Sequence, residues 1–349
     1  MRSALMKKFW KIFLSLSVVF LFATACSNEE SDAHDVNDKT SDTGKIQIIT
    51  SIFPVYELTK EIAGDRADVS LMVSENEDAH HYEPSAQAVA SVNEADIFIY
   101  SSEQMEFWAE SLLNVVENED LQVVELAEGL DLDIANINTH DHKGEVAGHG
   151  MHGPGQHGHD HDHHEHEHGQ HAHDHGGLDP HFWLDPVTVK EQLPLIAAAL
   201  SHKDPTNESY YSDNHATFAA DLKALDEAYQ EAFVDAKNRE FVVQHQAFGH
   251  VAHRYNLEQV AVGGLTTEVE PDPRQLAKII NFIKAEEVPV IYYQSGENSA
   301  IAETIAQETG TDIGVLYDLE NKPVAGDFKE DSYIEVMYHN LEQLQNSIN

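Results

Sequence analysis

Residues 241–262 read FVVQHQAFGHVAHRYNLEQVAV and contain one full unit of the pattern that decides the fold. The short apolar run at 241–243 predicts a strand, residues 249–255 predict a helix, and residues 259–262 predict a second strand. Strands that alternate with helices in this way are typical of a parallel sheet covered by helices. The alternation continues on both sides of this stretch, so the predicted fold class is α/β.

Eight apolar runs rich in β-branched residues divide into two sets of four, and helical patterns separate them. We therefore expect two α/β lobes, each with a four-stranded, mainly parallel sheet flanked by helices. The predicted strands are 46–49, 69–73, 97–100 and 123–126 in the first lobe, and 241–243, 259–262, 288–293 and 313–316 in the second. The predicted helices are 55–63, 85–93, 105–118, 249–255, 273–286, 299–309 and 333–348.

A long helix is predicted between the lobes, within residues 204–239. Asp204 can cap its start, Pro205 suits the first helical position, and Glu208 complements the helix dipole. A helix over residues 206–239 would be about 50 Å long, which is enough to join both lobes stiffly. One apolar stripe runs along it, formed by Tyr211, His215, Phe218, Leu222, Leu225, Tyr229 and Phe233.

The predicted domains are accordingly a first lobe at 46–203, the joining helix at 204–239 and a second lobe at 240–349. Residues 26–45 are polar and acidic with almost no apolar side chains, so we expect a flexible tether there.

The beginning of the chain predicts a lipoprotein signal peptide over residues 1–25. Basic residues precede an apolar run at 12–22, and the sequence ATAC follows at 23–26. This tetrapeptide resembles a bacterial lipobox, in which the signal is cut before a cysteine that becomes lipidated. Cys26 is the only cysteine of the chain, so lipidation would give it a role. An ordinary signal peptide cut near Ala25 is the alternative.

The net charge argues against nucleic-acid binding, and the cysteine content excludes disulfides and thiolate metal sites. The chain has 20 Lys and Arg residues against 62 Asp and Glu residues, a formal charge of −42 over 349 residues. Such a surface repels phosphate backbones, so nucleic-acid binding is not expected. A single cysteine excludes both an internal disulfide and a zinc site built from several thiolates.

Histidine is concentrated in one segment, because 14 of the 24 histidines lie between His140 and His175. Residues 139–177 contain mainly Gly, His and Asp, so we expect a disordered insertion within the first lobe. Neutral imidazoles in such a loop would bind zinc weakly and collect it near the cleft, although the loop could also have no selected role. The candidate weak ligands are His157, His159, His161, His163, His164, His166, His168, His171, His173 and His175.

Three histidines outside the insertion have settings typical of a binding site. His80 and His245 follow predicted strands, one in each lobe, and His181 lies in the segment DPHFWLDP at 179–186. In parallel α/β sheets, ligands bind beyond the carboxyl ends of the strands. Imidazole is a favoured zinc ligand, and three imidazoles leave one tetrahedral position. A single histidine in such a setting is more often an ordinary surface or core residue, but three of them in two lobes favour a binding site.

Four short motifs together are similar to those of one known family. The chain resembles the zinc branch of the metal-binding receptors of ABC importers, the cluster 9 or cluster A-I binding proteins, from about residue 46 to its end. The motifs are HHYEP at 80–84, DPHFWLDP at 179–186, HQAF at 245–248 and EPDP at 270–273.

This resemblance implies two α/β lobes joined by one long rigid helix, with the metal in the cleft between the lobes. It implies that His80, His181 and His245 are ligands. For the fourth position the best match is Asp318, with Glu320 or water as the substitute. It also implies an ABC permease and its ATPase as partners.

Zinc is the metal that the ligand types favour. Manganese prefers oxygen-rich sites, whereas several imidazoles suit zinc. The manganese receptors of the family have a carboxylate at the third ligand position, where this chain has His245. Copper and nickel would also bind three histidines.

We therefore expect an extracytoplasmic, monomeric zinc-binding protein without enzymatic activity, anchored by a lipid to the outer face of a bacterial cytoplasmic membrane. A metal-binding surface adhesin is one alternative. A zinc-dependent hydrolase is another, because residues 164–168 read HEHEH and formally satisfy the zinc-peptidase motif His-Glu-x-x-His. That motif requires a stable helix, and the segment has no apolar positions to dock one.

Overall fold

Two parallel four-stranded sheets form the framework of the protein, and together they confirm the predicted α/β class. The computed structural model describes residues 44–74, 77–133, 178–265, 272–296, 298–323, 328 and 332–348. The first sheet has the order β2-β1-β3-β4 and comprises β1 (Ile46–Thr50), β2 (Ala67–Leu71), β3 (Ile97–Tyr100) and β4 (Gln122–Glu125). The second has the order β6-β5-β7-β8 and comprises β5 (Glu240–Val243), β6 (Glu258–Ala261), β7 (Val290–Gln294) and β8 (Asp312–Leu316).

Helices cover the faces of both sheets, as parallel strands require. Those before the second sheet are α1 (Phe53–Ala63), α2 (Ala86–Asn93), α3 (Ala109–Leu113), α4 (Pro186–Lys203) and α5 (Glu208–Phe233). Those after its first strand are α6 (Gly249–Arg254), α7 (Pro273–Ala285), α8 (Ala300–Thr309) and α9 (Tyr333–Leu344).

The two sheets repeat one topology, and this determines where a ligand can bind. In the first sheet Ile48 of β1 lies between Val69 of β2 and Ile97 of β3, and in the second Val242 lies opposite Ile291. The chain therefore leaves β1 in one direction and returns on its other side, and it does the same at β5. Loops diverge at such a switch point and leave a crevice beyond the carboxyl ends of the strands.

Local sequence explains where several helices begin. The side chain of Ser85 accepts the N–H of Ala88 at the start of α2, and the side chain of Asp185 accepts the N–H of Val187 at the start of α4. Asp272 caps α7 in the same way. Each cap satisfies a backbone donor that the first helical turn leaves unpaired.

The long helix α5 spans 26 residues, or about 39 Å, and packs against α1, α4 and α9. The hydroxyl of Tyr229 on this helix donates to the carbonyl of Met337 on α9. The predicted stripe faces the core except at His215, which is half-buried. Its buried members are Tyr211, Phe218, Leu222, Leu225, Tyr229 and Phe233.

Both ends of α5 differ from the sequence prediction. A 3-10 turn, Pro205–Asn207, precedes the helix, so Asp204 does not cap α5 and instead accepts hydrogen bonds from the Asn207 amide and the Tyr211 hydroxyl. The helix ends at Phe233 and not at Arg239, and the Phe233 carbonyl accepts the N–H of Ala236 (3.3 Å) and the guanidinium of Arg239 (3.1 Å).

Helix α4 was not predicted from sequence. Pro194 lies inside it, and an internal proline removes a helical hydrogen bond and argues against a continuous helix. The helix persists because six apolar side chains along it are buried, which outweighs the local cost. They are Pro186, Val189, Leu193, Ile196, Ala199 and Leu200.

Helix α3 is shorter than the predicted 105–118. Glu106 belongs to the preceding turn, where its carboxylate accepts the N–H groups of Ser101 (2.9 Å) and Ser102 (2.8 Å) and the hydroxyl of Ser51. Through these hydrogen bonds the fully buried side chain connects the loops that follow β1 and β3.

Several predictions concern residues outside the described ranges. They are the signal peptide at 1–25, Cys26 and most of the tether at 26–45, the histidine-rich insertion at 139–177, and residues 270–271 of the fourth motif. Within the described ranges, none of the helices combines the length and apolarity needed to cross a bilayer. The domain limits at 46–203, 204–239 and 240–349 stay predictions.

Replacement of Leu222 by alanine tests whether the buried stripe of α5 holds the fold together. Leu222 is fully buried, so Leu222→Ala should lower the free energy of unfolding by about 2–5 kcal/mol, through lost burial and the cavity left behind. The measurement is urea unfolding of the metal-free protein. Asp221→Ala, an exposed neighbour, should change stability by no more than about 0.5 kcal/mol, and equal losses would contradict the proposed packing.

Candidate metal centre

Four side chains that can bind a metal lie together in the interior: His80, His181, His245 and Glu320. Their potential ligand atoms are all within 4.8 Å of one another. The relative exposures of these residues are 2%, 0%, 3% and 5%, in that order. The structure therefore brings the three predicted histidines into one group, which a carboxylate completes.

The three imidazoles surround a single oxygen of Glu320. Its Oε1 lies 3.4 Å from Nε2 of His80, 2.9 Å from Nε2 of His181 and 2.8 Å from Nε2 of His245. The ring centroids of the histidines are 5.1–5.9 Å apart. All three rings thus direct the same type of nitrogen into one small volume.

Strand ends from both sheets contribute to this group. His80 lies on the 3-10 turn Ala79–His81 after β2, His245 follows β5 by two residues, and Glu320 follows β8 by four. His181 immediately precedes the 3-10 turn Phe182–Leu184, which leads into α4. The group lies at the carboxyl ends of strands, as the switch-point rule predicts.

At three of the four grouped residues, the main-chain N–H donates to the side chain of an aspartate two positions earlier in the chain. Asp78 Oδ1 accepts the N–H of His80 (2.9 Å), and Asp179 Oδ1 accepts the N–H of His181 (2.9 Å). In the same way, the N–H of Glu320 donates to Oδ1 of Asp318, at 3.2 Å. Aspartate forms such local turns readily, and here each turn fixes the residue whose side chain points to the centre.

The outer ring nitrogens of two histidines also have partners. Nδ1 of His181 lies 2.7 Å from Oδ1 of Asp179, and Nδ1 of His245 donates to the carbonyl of Gly264 at 3.1 Å. A hydrogen bond at Nδ1 orients the ring and leaves Nε2 as the ligand atom. Both rings are therefore held ready to bind through Nε2.

Electrostatics distinguish the two neighbouring carboxylates. Burial alone would raise the pKa of Glu320, but the imidazoles of His80, His245 and His181 hold it well below its usual range. Burial and repulsion by Glu320 raise the pKa of Asp318 to about 7. Two buried carboxyl groups this close cannot both be ionised easily, and the negative charge resides on Glu320.

The imidazole of His181 lies between two carboxylates. Burial alone would lower the pKa of His181, but the carboxylates of Asp179 and Glu320 outweigh this effect and raise it to about 10. This pKa favours a protonated ring that donates to both carboxylates.

Asp318, the first choice for a fourth ligand from sequence, is not one of the four grouped side chains. Its Oδ1 accepts the N–H of Glu320, and its carbonyl accepts the indole N–H of Trp183 (2.7 Å). Glu320, named from sequence as the substitute, is the carboxylate that meets the histidines. The assignment of ligands stays a prediction, and the geometry favours Glu320.

One feature of the turn was missed from sequence. Leu319, between these two acidic residues, has a positive φ of 64°, a conformation that costs a non-glycine residue about 1–3 kcal/mol. Leu319 is 2% exposed, so its burial in the core holds this turn in place. The repeated Asp-x-ligand pattern at 78–80, 179–181 and 318–320, by contrast, was visible in the sequence and could have indicated Glu320.

The types of donor suit a tetrahedral zinc ion. Zinc binds imidazole nitrogen and carboxylate oxygen at about 2.0–2.2 Å, which places neighbouring tetrahedral donors roughly 3.3 Å apart. Oε1 of Glu320 lies 2.8–3.4 Å from the three imidazole nitrogens, and all four donor atoms lie within 4.8 Å of one another, so small shifts would bring them around one ion.

Comparison with known proteins identifies the family. The family described as zinc-uptake complex component A, periplasmic (ZnuA), matches residues 48–347. The chain belongs to this family. The resemblance seen in the four motifs is thereby confirmed.

Two similar proteins illustrate the match. The chain is 33% identical to the high-affinity zinc uptake system protein ZnuA of Bacillus subtilis over 343 residues, which is 98% of this chain and 99% of the relative. It is also 33% identical to the zinc-binding lipoprotein AdcA of Streptococcus pneumoniae over 341 residues, or 97% of this chain. That match spans only 61% of AdcA, so AdcA has a further part with no counterpart in the matched region.

A solved structure supports the fold. The Zn(II)-bound ZnuA-like domain of Streptococcus pneumoniae AdcA has a TM-score of 0.68 and 32% sequence identity, and the match covers 87% of this chain and 99% of that domain. The ZnuA-family fold thus agrees with the two parallel sheets described above.

Fluorescence of Trp183 should report metal binding at the grouped side chains. Its ring centroid lies 5.2 Å from that of His181, and a metal would displace the proton from this imidazole. In the chain from Ser27 onward, zinc should therefore change tryptophan emission in Trp108→Phe but not in Trp183→Phe, measured by titration. A change that persists in Trp183→Phe would place the metal elsewhere.

Proposed function

We propose that the protein captures Zn²⁺ outside the cytoplasm and delivers it to an ABC-type zinc importer. The observation that carries the proposal is the closed group of three imidazoles and one carboxylate, His80, His181, His245 and Glu320, at the strand ends of both sheets. The names of the relatives support it, because ZnuA of Bacillus subtilis is a zinc uptake protein and AdcA is a zinc-binding lipoprotein.

The composition of the group supports zinc as the cargo. Three nitrogen donors and one oxygen donor suit zinc better than manganese, which prefers oxygen-rich sites. Copper and nickel also bind imidazole strongly, so selection against them would depend on geometry and on which metals are available.

Burial of the group supports binding rather than catalysis. A catalytic zinc site keeps one position open for water or substrate, whereas four protein donors complete a tetrahedral shell. With all four residues at most 5% exposed, a substrate would have no access to the ion. We therefore propose that the protein is not an enzyme.

We further propose that an ABC permease and its ATPase receive the metal, and that Cys26 carries the lipid which holds the protein at the outer face of the cytoplasmic membrane. The family description as periplasmic and the name of AdcA as a lipoprotein support this location. The excess of acidic residues suits a cation carrier and a monomer that stays soluble.

Single substitutions at the four proposed ligands should strongly weaken zinc binding while leaving a residual affinity that can still be measured. His80→Ala, His181→Ala, His245→Ala and Glu320→Gln should each weaken binding by more than the roughly 10–100-fold that follows loss of an outer partner. The measurement is calorimetric titration of the chain from Ser27 onward, with a competing chelator.

Asp318→Asn is the matched control for the fourth position. Its amide oxygen can still accept the N–H of Glu320, so zinc affinity should stay within about tenfold of the natural chain. If Asp318→Asn abolished tight binding and Glu320→Gln preserved it, Asp318 would be the ligand instead. Unchanged tight binding in all three histidine variants would refute the proposed receptor site.

Deletion of the histidine-rich insertion tests its proposed role as a weak zinc collector. Removal of residues 139–177 should leave the tight binding event intact and eliminate several weak ones, because flexible ligands must be ordered on binding and bind less tightly. Calorimetry distinguishes the two classes of event. Loss of the tight event would show that the insertion contributes ligands to it.

A further inference from the structure

Helix α6 contacts both ends of the segment that carries His181. This segment, residues 179–185 and hereafter the His181 segment, precedes α4 in the chain, whereas α6 follows His245 in the second half. Nε2 of His250 donates to the carbonyl of Asp179 (2.9 Å), and the guanidinium of Arg254 donates twice to Oδ2 of Asp185 (2.9 and 2.7 Å). Residues four apart lie on one face of a helix, so a single face of α6 holds the whole segment.

The middle of the His181 segment is held by the second half as well. The indole of Trp183 donates to the carbonyl of Asp318 (2.7 Å), and the hydroxyl of Tyr333 donates to the carbonyl of Trp183 (2.7 Å). Trp183 and Tyr333 are each 1% exposed. Hydrogen bonds shielded from water in this way are costly to break without replacement.

These contacts join three proposed ligands into one unit. His245 lies four residues before α6, Glu320 follows Asp318 on the same turn, and His181 lies within the segment that both elements hold. His80 is placed by different contacts, because Asp78 caps its turn and the neighbouring Tyr82 packs on Trp108 in the first half (ring centroids 5.2 Å apart).

We infer that His250 and Arg254 are positioning residues for zinc, which fix His181 against His245 and Glu320, while contacts within the first half fix the turn that carries His80. The inference rests on the proposed function. Its physical basis is preorganisation: a ligand already held in place loses less freedom when the ion binds, and the affinity is higher. Neither His250 nor Arg254 belongs to the group of proposed ligands.

The test is the zinc affinity of His250→Phe and Arg254→Gln in the chain from Ser27 onward. The competing chelator is chosen to keep the weaker insertion sites empty. Each variant should lose about 10–100-fold in affinity, as expected for partners that orient a ligand. Arg254→Lys keeps the charge but has only one nitrogen to donate to Oδ2 of Asp185 where arginine uses two, so it should recover part of the loss.

Tyr292→Phe is the matched control. Tyr292 also lies in the second half, and its hydroxyl donates to the main-chain carbonyl of Gln343, which belongs neither to α6 nor to the His181 segment. This variant should therefore destabilise the protein without a specific loss of zinc affinity. Equal loss of affinity in Tyr292→Phe and Arg254→Gln would overturn the inference, since general destabilisation would then account for both.

A double-mutant cycle separates positioning from a general effect. Arg254→Gln should cause no further loss when combined with His181→Ala, because the residue that it positions is gone. Combined with His80→Ala, it should cause its full 10–100-fold loss. Equal losses in both backgrounds would refute the positioning role, whereas unchanged tight binding in His181→Ala alone would refute the proposed site itself.

Discussion

A carboxylate enclosed by three imidazoles is the interaction on which the rest of the structure depends. Glu320 is almost completely shielded from water, and an unpaired charge in such a place costs several kcal/mol. A neighbouring positive charge therefore stabilises this carboxylate. A proton on His181 supplies it in the metal-free protein, and a divalent cation would supply it in the loaded one, so protons and metal compete for the same small volume.

The duplicated sheet topology explains how one chain assembles such a group. Each sheet opens a crevice at the carboxyl ends of its strands, and the two crevices face the same group of side chains. The turns do the fine placement, because an aspartate two residues before His80, His181 and Glu320 accepts the main-chain N–H in each case. The sheets bring the grouped residues into one region, and these turns set the direction of each side chain.

Most of the strands and helices, and the three histidines of the group, could be predicted from the sequence. The strands were found because buried parallel strands are continuous apolar runs, and His80, His181 and His245 were found because their motifs resemble those of a known family. Helix α4 was missed because Pro194 interrupts its pattern, while the packing that sustains the helix is a tertiary effect. The ends of α5 were also misplaced: a 3-10 turn precedes its start, and at its other end the Phe233 carbonyl accepts a hydrogen bond from Arg239 outside the helix.

Asp318 was preferred to Glu320 from sequence because both follow the last strand and differ by only two positions, although the repeated Asp-x-ligand spacing at 78–80 and 179–181 points to Glu320. Leu319, which lies between them, has a left-handed backbone. A leucine gives no sequence signal for that conformation, which burial in the core imposes. The contacts of His250 and Arg254 were invisible for a comparable reason, because they join segments about 70 positions apart.

The depth of the four grouped residues has a consequence for the lifetime of a bound ion. Because bulk water reaches almost none of their surface, a chelator in solution cannot attack the ion directly and must wait for it to leave. The residence time of an ion bound there would then depend on how often the fold exposes these residues, and not on the strength of the competitor. Such depth would let the protein retain the ion in the presence of strong external ligands.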